Sequence, residues 1–240
     1  MNSKGFTLVE LAIVMIIIGL LIGGVLKGQE LIANSQVTST IAQIKGIDAA
    51  ASTFKDQYKA VPGDMNRATV LLSNCAAPSC INGNGNGRLQ SAASPPATNS
   101  GESIQFWMHM SKANLFAGVN GTLTPAWGEG LPAADVGGGF TVGYERGPSF
   151  TNIIGSSGVR GGHWMALKAN PAMAAASTGH LRASIAARID RKIDNGYPAT
   201  GVVHATNSGG APCWDGTGPT ATYRELDDTM ACGLLIRLSN

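Results

Sequence analysis

At 240 residues the chain has room for one ordinary domain plus an anchor, or for two small domains. Only 13% of its residues are charged and the formal net charge is +2, so no nucleic-acid surface is expected. The hydrophobic content of 44% is unevenly spread, with much of the most apolar sequence lying before Lys27.

The first predicted element is an apolar helix. Over residues 6–26 only Thr7 and Glu10 are polar. At about 1.5 Å per residue the run makes a helix of roughly 31 Å, which matches the ~30 Å hydrocarbon core of a bilayer. Lys4 precedes it, and Lys27 and Glu30 follow. By the positive-inside rule the Lys4 end stays cytoplasmic and the chain beyond Leu26 lies outside. An ordinary secretory signal ends its apolar region in a small-residue cleavage site; Gly23 and Gly24 are small, but no Ala-x-Ala-like site follows. A plain anchor leaves Glu10 unexplained, because a carboxylate beside an apolar run is costly in lipid and marks a functional position by default.

The hexapeptide Gly5-Phe6-Thr7-Leu8-Val9-Glu10, behind a short leader with one lysine, resembles the type IV prepilin cleavage and methylation motif of type IV pilins and type II secretion pseudopilins. The resemblance covers about the first tenth of the chain. It implies that a membrane-bound prepilin peptidase cuts between Gly5 and Phe6 and then methylates the new amino group of Phe6. It further implies that Glu10 pairs with the N-terminus of a neighbouring subunit and sets the axial register of a filament. The expected organisation is then a leader over residues 1–5, a transmembrane helix over 6–26, an amphipathic continuation over 27–59 and an extracytoplasmic head over 60–240. The partners it implies are the peptidase, like subunits, an inner-membrane assembly platform and membrane lipid. The expected location is the bacterial inner membrane, and then a periplasmic pseudopilus or a surface pilus. Many pilins carry a proline near the position of Lys27; its absence here favours a pseudopilin or a divergent pilin.

Past the membrane the helical pattern continues. Val37, Ile41, Ile44, Ile47, Ala51, Phe54 and Tyr58 recur at steps of three and four, separated by polar residues, so this half is amphipathic and must lie on something. Pro62-Gly63 stops it. Residues 6–59 as one helix reach roughly 80 Å. A loop-rich region runs to about residue 100. It holds Cys75 and Cys80, which with Cys213 and Cys232 make two local pairs. An even count in an oxidising compartment reads as disulfides, although four cysteines allow three connectivities. Asn82, Asn84 and Asn86 alternate with glycines like the opening of a calcium loop. The ligands are neutral, however, and Ala93 stands where a glutamate belongs, so no cofactor is expected and calcium is a weak candidate.

Residues 102–115 read as a helix with Ile104, Trp107, Met108, Ser111 and Leu115 on one face. Strands are expected at 140–144, 163–167, 202–204 and 233–238. A helix is expected within 173–193, with Leu181, Ile185, Ile189 and Ile193 at helical spacing, ended by Asn195-Gly196. The fold class is therefore α+β: a long N-terminal helix, half membrane-spanning and half amphipathic, on a small antiparallel-sheet head. His109, His163, His180 and His204 have no zinc-ligand spacing, and no nucleophile elbow occurs. Asp190 and Asp194 share a helix face, where ion pairing and capping explain them without catalysis. The function expected is that of a structural filament subunit, not an enzyme; the alternative is a minor, tip-located pilin acting as an adhesin or DNA-binding module.

Overall fold

The computed structural model describes residues 7–89, 101–145, 160–171, 179–207, 213–216 and 218–239. Helix α1 spans Leu8–Tyr58 without a break, about 77 Å of helix. It ends where Lys59 adopts the left-handed conformation at φ 54° and returns its N–H to the Lys55 carbonyl. Its upper half buries Val37, Ile41, Ile44, Ile47, Ala51 and Phe54, the stripe that the periodicity marks. Its lower half, residues 8–26, is exposed on every side. One sequence thus makes two helices in series: one patterned to lie on a head, the other apolar all round.

The chain turns sharply after α1. Gly63 sits at φ 86°, and a Cβ there would lie 2.3 Å from the Glu102 carbonyl oxygen and 2.8 Å from the Phe106 nitrogen. Glycine therefore permits the end of α1 to meet α3 (Glu102–Lys112) backbone to backbone. A single helical turn, α2 (Ala68–Leu71), lies between them in sequence. The predicted helix at 102–115 is shorter than expected, ending at Lys112. It is also buried over all of residues 102–110 and not along one face. The reason is that its polar side is clothed by the loop before it. Gln105 Oε1 accepts the Ile81 amide at 3.2 Å, and His109 Nδ1 accepts the Gly63 amide at 2.9 Å. His109 Nε2 contacts the Ile81 carbonyl at 2.8 Å. With one ring nitrogen accepting and the other donating, His109 is neutral, and burial holds its pKa below the ordinary histidine value.

The head sheet is antiparallel throughout. β1 (Gly139–Glu145) pairs with β2 (Gly162–Lys168), from Gly139↔Lys168 to Glu145↔Gly162. Strand β7 (Met230–Arg237) is the hub, pairing with β2, with β3 (Leu181–Arg182) and with β4 (Val203–Asn207). A separate two-stranded ribbon joins β5 (Trp214–Asp215) to β6 (Thr222–Tyr223). Three expectations need correction. The strand expected at 202–204 runs Val203–Asn207, because Val202 lies outside the ladder and spends its carbonyl on the Arg237 amide. The strand expected at 233–238 begins at Met230, since Cys232 and Met230 pair with β3. The helix expected within 173–193 is α4, Ala183–Ile193. Leu181 is extended against Cys232 and is no part of it, and residues 172–178 lie outside those described.

The head grips α1 through polar contacts beside the buried stripe. Ser39 donates to the Asp135 carboxylate, and the Val136 amide donates to Thr40 Oγ1 at 3.2 Å. At the chain's end the Ser239 amide and hydroxyl both donate to the Asp48 carboxylate at 2.8 Å.

The N-terminal helix as candidate assembly site

Thr7 is the N-cap of α1, extended at φ −83° and ψ 150°. Its hydroxyl accepts the Glu10 amide at 3.3 Å, while the Glu10 carboxylate accepts from the Thr7 amide at 2.9 Å and from its hydroxyl at 2.8 Å. This is a reciprocal capping box. Glu10 therefore has a partner inside its own chain, which the sequence reading missed although Thr7-x-x-Glu10 before an apolar run is the signature of that motif. The box also places the carboxylate at the positive end of the helix dipole. Gly5 and Phe6 lie outside the described residues.

From Leu8 to Leu26 every residue of the helix is exposed among the described residues. Leu8 is 90% exposed and Leu20 75%. Gly19, Gly23, Gly24 and Gly28 have open space where a Cβ would stand. Among the described residues this is the one helix long and apolar enough to cross a membrane. A bare, apolar cylinder is stable only in lipid or among like surfaces.

The other singled-out residues serve the head. Cys75 is joined to Cys80 and Cys213 to Cys232, both pairs buried. The asparagine oxygens do not act together: Asn82 Oδ1 accepts from Thr69, Asn84 Oδ1 from the Asn86 amide and Asn86 Oδ1 from the Arg88 amide. Instead the run's backbone amides face two buried carboxylates. Asp64 accepts from Asn86 at 3.0 Å and from Gly87 at 2.7 Å, and Glu102 accepts from Asn84 at 2.9 Å. Ala93, the twelfth position of that loop, lies outside the described residues. Asp190 accepts from the Tyr223 hydroxyl at 2.8 Å and the Gly196 amide at 3.1 Å, whereas Asp194 accepts from the Val202 and Val203 amides.

A long apolar N-terminal helix followed by a small antiparallel-sheet head fits a membrane-anchored α+β protein. Residues 1–26 match the family model of the prokaryotic N-terminal methylation motif. The match supports a type IV pilin- or pseudopilin-like precursor, a class whose members are structural and not catalytic. No curated protein and no solved structure matches the chain.

Proposed function

We propose that this chain is a structural subunit of a type IV pilus or a type II secretion pseudopilus. In this reading a prepilin peptidase cuts between Gly5 and Phe6 and methylates the Phe6 amine. The chain waits in the inner membrane with its head outside the cytoplasm, and an assembly platform then moves it into a filament through α1. The observation that carries this is the uncovered apolar half of α1, with Glu10 near its start, inside the matched motif.

Glu10 has two uses that follow one another in time. In the single chain it closes the capping box with Thr7. Cleavage after Gly5 places a cationic amine one residue before Thr7, within the same turn. In a filament the carboxylate exchanges its local partners for a neighbour's amine, in surroundings that strengthen the pairing. Mass spectrometry of the protein from cells with working peptidase should give an N-terminus at methylated Phe6. Glu10→Ala should leave cleavage intact but abolish or strongly reduce filaments and N-methylation. A mature chain that still begins at Met1, or normal filaments from Glu10→Ala, would contradict the proposal.

A further inference from the structure

Five asparagines in the chain are followed directly by glycine: Asn82, Asn84, Asn86, Asn120 and Asn195. Such a pair can modify itself, because no Cβ on the second residue shields its backbone nitrogen from the asparagine side chain. All five asparagines are exposed, so access to solvent does not distinguish them. Turn geometry does not either. In four of them the side-chain oxygen accepts the amide two residues on: Asn84 from Asn86 at 3.0 Å, Asn86 from Arg88 at 2.9 Å, Asn120 from Thr122 at 3.0 Å and Asn195 from Tyr197 at 2.9 Å.

The glycine amides do distinguish them. Gly83 donates to the Met65 carbonyl at 2.8 Å and Gly85 to the Asp64 carbonyl at 2.9 Å. Gly87 donates to the Asp64 carboxylate at 2.7 Å and Gly196 to the Asp190 carboxylate at 3.1 Å. The Gly121 amide has no hydrogen-bond acceptor among the described residues. A held N–H opposes the reaction, because its bond must break before the nitrogen can lose a proton and turn onto the neighbouring side chain. The peptide around Gly121 is nevertheless fixed on both sides. The Asn120 amide donates to the Glu129 carbonyl at 2.9 Å, and the Thr122 hydroxyl joins its own amide on Asn120 Oδ1 at 2.8 Å. Those Thr122 donors lie on the oxygen that takes up negative charge when Asn120 Cγ is attacked. Gly121 itself sits at φ 85° with open space where a Cβ would stand.

We propose that Asn120–Gly121 is a self-modification site, where the folded chain converts an asparagine amide to a carboxylate while hydrogen bonds protect its other Asn-Gly pairs. The Gly121 nitrogen attacks Asn120 Cγ. The new C–N bond closes a succinimide ring, the Cγ–Nδ2 bond breaks, and Nδ2 leaves as ammonia with the proton that the Gly121 nitrogen gives up. Solvent water then opens the ring at either carbonyl, yielding aspartate or isoaspartate, with nothing oxidised or reduced. Each event adds one negative charge and takes the formal net charge from +2 to +1.

The test follows the full chain in detergent micelles, held in mildly alkaline buffer and sampled over time by tryptic peptide mapping. Asn120, Asn195 and the Asn82–Asn86 run fall on separate tryptic peptides. In the folded chain, conversion at Asn120 should outpace every other Asn-Gly pair by at least about tenfold, the factor that an ordinary hydrogen bond is worth. In urea the pairs should react at comparable rates. Comparable rates in the folded chain, or slower conversion at Asn120, would overturn the proposal. So would a preference for Asn120 that persists unchanged in urea, since local sequence and not the fold would then set it. Asn120→Gln should suppress the acidic species that wild type accumulates on isoelectric focusing, because the longer side chain closes its ring slowly; accumulation at the wild-type rate would also overturn it.

Discussion

Asp190 is fully buried at the end of α4, between the Tyr223 hydroxyl and the Gly196 amide. Burial pushes its pKa up to about 6 despite those two hydrogen bonds. Its folded value lies above the unfolded one, so the native state holds the proton more tightly. The resulting stability is complete below pH ~4 and is lost as the pH rises through about 6. His109 and His204, both lowered by burial, act with the opposite sign: their contribution appears as the pH rises and the imidazoles become neutral. Asp190→Asn should isolate the first effect. Chemical denaturation from pH 4 to pH 7 should show wild type losing about 1–3 kcal/mol relative to the variant. Parallel pH profiles for the two would show that Asp190 does not titrate in this range. At this scale the sequence is legible wherever the partners are close. Thr7 and Glu10 are three residues apart, so their capping box can be read directly. Asp64 and Glu102 cannot be read that way, because the amides that satisfy them come from a glycine-asparagine run that spacing alone makes look like a cation loop.

Among the elements, α1 separates two kinds of apolar residue that a count treats alike. Phe54 is fully buried against the head, whereas Ile18 is 45% exposed. Phe54→Ala should cost the head about 3–5 kcal/mol, as expected for a large aromatic removed from a core. Ile18→Ala should leave head stability within ~0.5 kcal/mol of wild type. Both can be followed in detergent by the near-ultraviolet dichroism of the head tryptophans, and equal losses would mean that the lower half of α1 packs on the head. The two halves of α1 were visible in the sequence because hydrophobic periodicity is a local signal. Strands β3, β5 and β6 were not, being two residues long and defined by their partners. Leu181 shows the cost: its spacing to Ile185 and Ile189 is helical, yet pairing with Cys232 draws it into the sheet.

Over the whole molecule, the disulfides close loops of different size. Cys213–Cys232 spans 19 positions and Cys75–Cys80 spans 5. In the loop-entropy account the first stabilises by about 3 kcal/mol and the second by about 2 kcal/mol. The longer bridge also ties the β5–β6 ribbon to the hub strand β7. Cys213→Ser/Cys232→Ser should therefore lower the melting temperature more than Cys75→Ser/Cys80→Ser, as calorimetry would show; the reverse order would mean that native packing around Cys75 outweighs chain entropy. The α+β architecture could be inferred from the order of patterned segments, but connectivity among four cysteines could not, since it depends on how β5 meets β7.

The lower half of α1 offers no preferred side. Large aliphatic residues surround it, its glycines sit in open space, and the carboxylate lies at its very foot. In a bilayer such a rod has no favoured azimuth: it can spin about its long axis at almost no energetic penalty. If the chain assembles as proposed, a newly arriving neighbour can therefore approach from any direction, and the bearing of each head is chosen only at contact, by the globular parts above.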